Sequence, residues 1–583
     1  MVIKSTAPIT VSEPRTSIRV TMSSGTVLEA PIGTTIHALL TADRAQNPAR
    51  YDSDAMGGVL NGRLRELAYP VKADANLKPV LFSSSDGSRI HRRTLTLLLT
   101  TAVDELFPGV KVGVQYSIPE GGYYCVLRNR EPFTPDELHQ LEDHMHAIVT
   151  ANEPIIKAIK PLKEALDIFE ARHADDKLRL LEQRSRDNLV VYTLRVRTDY
   201  YYGYMLPSTG LLKQFGLMHA DEGFILTFPR SENPNTMKPI RPDTQLAAVF
   251  RETNRWLQRM GVEDIGRLNK ITRDDRVQEL ILVAEALHEQ RIAYIAGDIC
   301  KRHTEEGVRI VLIAGPTSAG KTTFSKRLAV QLLAYGLRPF TLELDNYFVD
   351  REKTPLDENG EYDFESLGTL NITRFNRDLL GLTSGKLVQL PKFNFITGKS
   401  EDGMQAQLTE NQVIILEGIH GLNPGLVPDI PESAIHRVYV SALTMLNVDA
   451  HNRVPTTDLR LLRRIVRDAR SRGYSATDTL QRWASVRRGE RHNIFPYQEN
   501  ANHMFNSALV YELAALRPIA EPLLLQVVPN TPEHIEANRL LSFLRWVVPL
   551  NIQQTATIPD TSLLREFIGG SSLTNYHPDT LDS

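Results

Sequence analysis

The 583-residue sequence predicts an α/β protein whose C-terminal half is built on a parallel sheet, and three observations carry that expectation. Arg309-Ile310-Val311-Leu312-Ile313-Ala314 is a continuous apolar run, as a strand covered on both faces requires, and it leads straight into a glycine-containing turn. Phe324, Leu328 and Leu332 then recur at four-residue spacing from a start at Lys321, and Gly336 supplies a stop, so a helix follows the turn. Two further apolar runs, Phe340-Thr341-Leu342-Glu343-Leu344 and Val413-Ile414-Ile415-Leu416, each end in an acid, Asp345 and Glu417.

The turn between the first strand and its helix reads Gly315-Pro316-Thr317-Ser318-Ala319-Gly320-Lys321-Thr322, a full GxxxxGK[ST] pattern. The glycines let backbone N–H groups face inward around phosphates, Lys321 can reach the β and γ groups, and Thr322 offers a hydroxyl to Mg²⁺. Residues Gly315 to Thr323 are therefore the expected contacts of ATP, with Thr322 and Glu417 as the expected Mg²⁺ ligands. A glycine turn without a ligand is the bland alternative, and the strand before and helix after weigh against it. Asp345 falls at the C-terminal end of its strand, the edge where open α/β sheets bind ligands, and is placed to accept a proton. Together with Lys321 it is the expected centre of catalysis, and no NKxD base-reading motif of GTPases is present.

The N-terminal third reads differently. After a loose Ser/Thr/Pro-rich tail, residues 1–16, Ile18–Met22, Ser23-Ser24-Gly25 and Val27–Ala30 form strand, turn and strand, and Thr34 or Thr35 can cap a helix through Leu40. Val59-Leu60-Asn61-Gly62-Arg63-Leu64 is a second hairpin signal, because Asn-Gly supplies the positive φ angles of a primed turn. Residues 17–83 resemble the TGS domain, a β-grasp unit found at the start of threonyl-tRNA synthetases. Residues 84–235 resemble the α+β editing domain of those synthetases, through the run Arg93–Leu99 with Leu106-Phe107-Pro108 and the segment Pro207-Ser208-Thr209-Gly210 with Phe215. That family places histidines at the positions of Arg93 and Leu97, and a cysteine and a histidine at those of Tyr201 and Met205. Arg, Leu, Tyr and Met there neither hold a metal nor polarise a water well, so the resemblance implies a retained fold without its hydrolytic chemistry. A helical linker is expected over 236–305, a P-loop NTPase domain over 306–550, and a polar tail that frays over 551–583.

From Val308 to Val528 the strand-end acids, the P-loop and the arginine-rich run resemble the uridine kinase and phosphoribulokinase family, most closely a branch that fuses this kinase to the two synthetase-like modules. The resemblance implies Asp345 as general base on an acceptor hydroxyl and Glu417 as metal partner. It also implies Tyr347, Glu365 and Phe393 as substrate contacts, through Asp345-Asn346-Tyr347-Phe348, the acidic segment Tyr362–Glu365 and the hairpin Pro391–Gly398. Phe393 and Gly398 stand where pyrimidine-specific members carry Tyr and His, so side-chain hydrogen bonds to a uracil are lost and another nucleoside or a polyol is open. Leu459 to Arg472 reads as a helix bearing Arg460, Arg463, Arg464, Arg467, Arg470 and Arg472, for which a closing lid is preferred over an RNA face or a solvated helix. Arg464 and Arg467 match the family's Arg-Arg-x-x-Arg-Asp run and are the expected catalytic arginines.

Bulk properties narrow the class. A net charge of −3 gives no long-range pull on polyanions, and the two cysteines, Cys125 and Cys300, match no disulfide or metal spacing, which suits the cytoplasm. No apolar run approaches the roughly 20 residues that span a bilayer, and the N-terminus lacks the apolar core of a secretory signal. The expected partner is a small hydroxyl-bearing molecule, a nucleoside or similar; oligomeric state leaves no mark on the sequence. The rival reading is an ATP-regulated RNA-binding or translation-associated protein that uses the synthetase-like half.

Overall fold

The structure is a computed structural model, and it describes residues 14–578 apart from 183, 185, 221, 242–243, 357–359, 361, 364 and 395–396. Most of the expected N-terminal tail, the last five residues, Phe364, Phe395 and Ile396 thus lie outside the described residues. The chain divides into two compact units: Met1–Arg172, Arg186–Ile240 and Pro529–Ile535 form the first, and His173–Ser185, Arg241–Val528 and Glu536–Ser583 form the second.

In the first unit, Ser17–Met22 pairs antiparallel with Val27–Pro31 and parallel with Ala75–Leu81. Ala55–Leu60 and Arg63–Arg65 complete a mixed five-stranded sheet. The Asn-Gly turn joining the last pair takes the left-handed angles its sequence calls for, φ 47° at Asn61 and 76° at Gly62. The helix Ile36–Gln46 lays Ile36, Leu39 and Leu40 on this sheet, its first turn capped by the Thr35 hydroxyl, which gives a β-grasp arrangement. The rest of the unit is α+β. A 22-residue helix, Ser85–Leu106, and the capping-box helix Pro135–Thr150 accompany a four-stranded and a three-stranded antiparallel sheet.

The second unit holds the parallel sheet. Its strands are β1 (Ile310–Ala314), β2 (Arg338–Glu343), β3 (Gln412–Gly418), β4 (Ile435–Ser441) and β5 (His503–Asn506), in the spatial order β2-β3-β1-β4-β5. Every neighbouring pair is parallel, so all five C-terminal ends open on one edge. β1 is buried at all five positions, which is why its sequence is apolar without alternation. Helix α1 (Lys321–Ala334) follows the glycine turn and buries Phe324, Leu328 and Leu332, and the chain reverses through Gly336 at φ 85°. Helices α2 (Thr456–Ser471) and α3 (Ala476–Asn493) lie between β4 and β5 in sequence, and the antiparallel hairpin Val388–Asn394/Lys399–Ala406 precedes β3.

The expectation that 551–583 frays is not met in its described part. Ile558, Leu563, Leu564 and Phe567 are all buried, because the apolar residues interspersed among the polar ones share one packed side of the turns around the short helix Arg565–Ile568. No helix among the described residues is long and apolar enough to cross a membrane.

Candidate nucleotide-binding and phosphoryl-transfer site

The glycine turn sits at the C-terminal edge of β1, where only a hydrogen fits at two positions. A Cβ on Gly315 would lie 1.9 Å from the Val440 carbonyl oxygen, and one on Gly320, at φ 85°, would lie 2.3 Å from Leu563 Cδ2. Ser318 is also left-handed at φ 57°. Alternating conformations of this kind turn successive amides to one side as an anion nest. What holds the opposite side is a set of buried arginines. Arg460 donates to the Thr317 carbonyl at 3.1 Å, and Arg463 donates to the Ser318 and Ala319 carbonyls at 3.4 Å. Ser507 Oγ donates to the Ala319 carbonyl at 2.5 Å. With these carbonyls engaged from behind, the loop is fixed on that side; of its amides, that of Thr317 is held by Glu490 at 3.2 Å and that of Ala319 by the Pro316 carbonyl at 3.2 Å.

Each buttressing guanidinium is neutralised in turn. Arg460 forms a bidentate pair with Glu490, and Arg463 with Glu512, all four being 2% exposed or less. The Arg463 guanidinium also lies 4.9 Å from the Phe567 ring. Burial works against the charge of Glu490, but Arg460 and then Arg487 outweigh it and hold the carboxyl below the ordinary range. Arg460 and Arg463 are therefore internal supports rather than parts of a mobile lid, which corrects that part of the sequence reading. Their signal was present: Arg463 lies four residues after Leu459 and three before Val466, the spacing of the face a helix buries, and Arg460 is flanked by Leu459 and Leu461. The acids that answer them come from distant segments and carry no local pattern.

At the mouth of the nest, Lys321 Nζ lies 3.4 Å from the Pro316 carbonyl oxygen. Desolvation lowers its pKa, opposed by Glu417, Glu566 and Glu490. Thr322 Oγ1 donates to Glu417 Oε1 at 2.9 Å, so the hydroxyl and carboxylate expected to share a metal are in contact. Burial pushes the Glu417 carboxyl up, Lys321 and the Thr322 hydrogen bond pull it down, and Glu566 and Asp345 add negative field. Hard oxygen donors paired in this way suit Mg²⁺. Asp345, in the turn Leu344–Tyr347 after β2, has its carboxyl raised by desolvation first and by Glu343 second.

The remaining predicted residues divide. Glu365 is drawn to the site: its carboxyl is raised by burial and by Glu490, against the fields of Arg464 and Lys321. Phe393 donates its N–H to Asn346 Oδ1 at 3.2 Å and stands edge-on to Phe348 at 5.6 Å. Arg464 and Arg467 both bond Asp468, at 3.2 and 2.9 Å, while the field of Arg467 reaches Lys321. Tyr347 is not brought to the nest; it is 1% exposed, packed edge-on to Phe375, with burial first and Asp378 second raising its phenol. The reason is the tight turn after β2, which points Tyr347 into the core and leaves Asn346 and Phe348 beside Phe393, two residues the sequence reading had not singled out.

Comparison with known proteins agrees with this layout. In the N-terminal region the chain resembles threonine–tRNA ligases: it is 31% identical over 202 residues to that of Desulforamulus reducens, covering 34% of this chain and 31% of the ligase. To that of Symbiobacterium thermophilum it is 33% identical over 202 residues, covering 34% and 30%. The chain thus spans about a third of the length of these curated relatives. Among solved structures, a protein described as a fructose transport system kinase from Silicibacter sp. TM1040 is 19% identical. It covers 37% of this chain and 98% of its own, with a TM-score of 0.26, too low to bear weight. Residues 310–513 match the Phosphoribulokinase / Uridine kinase family, and the glycine nest, the parallel sheet and both strand-end acids fall inside that match, so this segment is a domain of that family.

Proposed function

We propose that the second unit is an ATP-dependent phosphotransferase that moves the γ-phosphoryl group to a hydroxyl of a small polyhydroxy acceptor, in the nucleoside class. The observation that carries the reading is the contact of Thr322 with Glu417 at the foot of the nest, with the raised carboxyl of Asp345 within the same field. Lys321 and the inward amides bind and orient the triphosphate. Thr322 and Glu417 would hold Mg²⁺, which supplies charge neutralisation at the phosphates when bound. Asp345 takes the proton of the acceptor hydroxyl as its oxygen bonds to the γ-phosphorus; the bond to the bridging oxygen breaks and ADP leaves. A carboxyl raised above its ordinary range is the better base for that step.

Arg464 and Arg467 are held at rest by Asp468 and serve, on release, the charge spread over the transferring oxygens. Glu365 accepts from acceptor hydroxyls, and Phe393 with Phe348 forms an apolar wall that selects by shape and stacking. The division of the chain into a β-grasp module over 17–83, an editing-like module over 84–235 and a helical segment over 236–305 belongs to the same proposal, as does a cytoplasmic location. A panel of nucleosides, sugars and polyols assayed for ATP-dependent phosphorylated product tests the reading. Asp345→Asn is expected to lower turnover by about 10²–10⁴ with ATP affinity retained; normal turnover in that variant would remove Asp345 from the mechanism.

A further inference from the structure

Helix α1 starts from Gly320, which offers no side-chain cap, so the first amides of the helix need outside acceptors. One of them has found an acceptor from far along the chain. Thr323 donates both its N–H, at 3.3 Å, and its hydroxyl, at 2.8 Å, to the same oxygen of Glu566. An amide and a hydroxyl at the N-terminus of a P-loop helix are donors that a nucleotide phosphate uses. A carboxylate on them occupies that position with the same sign of charge.

The segment carrying Glu566 is fastened on both sides of it. Leu563 packs on Gly320, and Arg470 donates to the carbonyls of Glu566 at 2.8 Å and Phe567 at 3.1 Å. Lys326 donates to the carbonyls of Leu573 and Thr574 at 2.7 and 3.0 Å. The Glu566 side chain is held more loosely: among the described residues its carboxylate hydrogen-bonds only Thr323 and makes no ion pair, with Lys321 and Lys326 attracting it through their fields alone. Glu490, the other carboxylate on a nest amide, differs in being clamped by two guanidinium groups, Arg460 and Arg487. Of the two acids on the nest, Glu566 is the one free to leave. Its field also falls on Lys321, where the phosphates' charge would be received. All of these residues from 563 to 574 lie beyond the family match, which ends at 513.

We propose that Glu566 is a built-in phosphate mimic: in the resting protein its carboxylate closes one end of the nest, and nucleotide binds by displacing the side chain while the segment around it stays docked. The inference rests on the proposed function, since it requires the nest to take a triphosphate. A competing acid of this kind divides the intrinsic affinity by the fraction of molecules with the nest open. Glu566→Gln removes the charge at constant volume and Glu566→Ala removes the acceptor; either is expected to tighten the Kd for ATP about three- to thirtyfold, the range a single cap contributes.

Calorimetric titration with ATP and, separately, with inorganic tripolyphosphate decides the matter. Tightening for both probes supports a mimic acting at the phosphates. An unchanged or weaker Kd in both variants, or tightening for ATP alone, overturns it, because Glu566 would then be a passive cap, a binding residue or a neighbour of the base. Arg470→Ala provides a second variant outside the nest and should tighten binding less, through a looser grip on the Glu566 carbonyl. If the wild type and every variant bind neither probe, the phosphate nest itself is refuted, and the mimic with it; binding by the wild type without any change in the variants refutes the mimic alone.

Discussion

Around Arg93, Leu97, Tyr201 and Met205 the first unit has closed over the positions where its synthetase resemblance places hydrolytic ligands, whereas around Lys321, Thr322, Asp345 and Glu417 the second unit keeps charge at the edge of a cleft. Leu97, Tyr201 and Met205 are 2% exposed or less and belong to the hydrophobic core. The guanidinium of Arg93 bonds the Tyr204 carbonyl at 2.5 Å and lies over the Tyr202 ring, with burial lowering its pKa. In the second unit, by contrast, Lys321 and Glu417 are both perturbed mainly by desolvation. An amine and a carboxyl held together in this state form a candidate ligand site. The difference lies in what surrounds the buried cation: Arg93 stands among tyrosines, whereas Lys321 lies in the combined field of Glu417, Glu566 and Glu490, so it is the gathering of opposite charges, and not burial alone, that tells the two regions apart.

The strongest way to break this contrast is to remove a charge from beneath the nest. Arg463→Met leaves Glu512 buried without its partner, and breaking a buried pair costs about 3–5 kcal/mol. Thermal unfolding should show a second unit much less stable, and ATP titration a weakened nest, since the Ser318 carbonyl loses the Arg463 donor and the Ala319 carbonyl keeps only Ser507. Adding Glu512→Leu should recover stability but not ATP affinity. Recovery of both would mean that the arginine serves folding only.

Next in size is a cavity in the first unit. Leu97→Ala at a fully buried position should cost about 2–5 kcal/mol of that unit's stability. Turnover of the phosphotransferase is expected to stay unchanged below the melting transition. A parallel fall in turnover would show that the editing-like unit takes part in catalysis, and the contrast would fail.

How much of this was legible in the sequence follows from the range of the interactions. The nest, β1, α1 and the two strand-end acids are local patterns, and each could be read because its determinants lie within a few residues. Fold class was legible for the same reason. Glu490, Glu512 and Glu566 were not, since they reach the nest across 173, 49 and 243 positions, to Thr317, Arg463 and Thr323. Tyr347 was misread as a substrate contact because a turn of four residues decides which side chain faces the cleft, and the motif alone does not encode its rotation. The C-terminal segment was misread because its polar composition hid Leu563, Leu564 and Phe567, whose burial depends on a partner surface elsewhere in the chain.

The smallest predicted effect addresses the charge at the cleft most directly. Asp345 must be ionised to take a proton, so turnover should fall as pH drops through its raised pKa, placing the acid limb above the ordinary aspartate range. Glu343 is one of the two causes of that raise, and Glu343→Gln deletes the like charge while leaving an oxygen to accept from Asn346 Nδ2. The acid limb should therefore move to lower pH, with turnover at neutral pH little changed or slightly lower because the base is weaker. In Asp345→Asn the limb should vanish altogether. A limb that persists in Asp345→Asn belongs to another group, Glu417 or Glu365 being the acids also raised by burial, and the role of base would pass to whichever of them abolishes it on substitution.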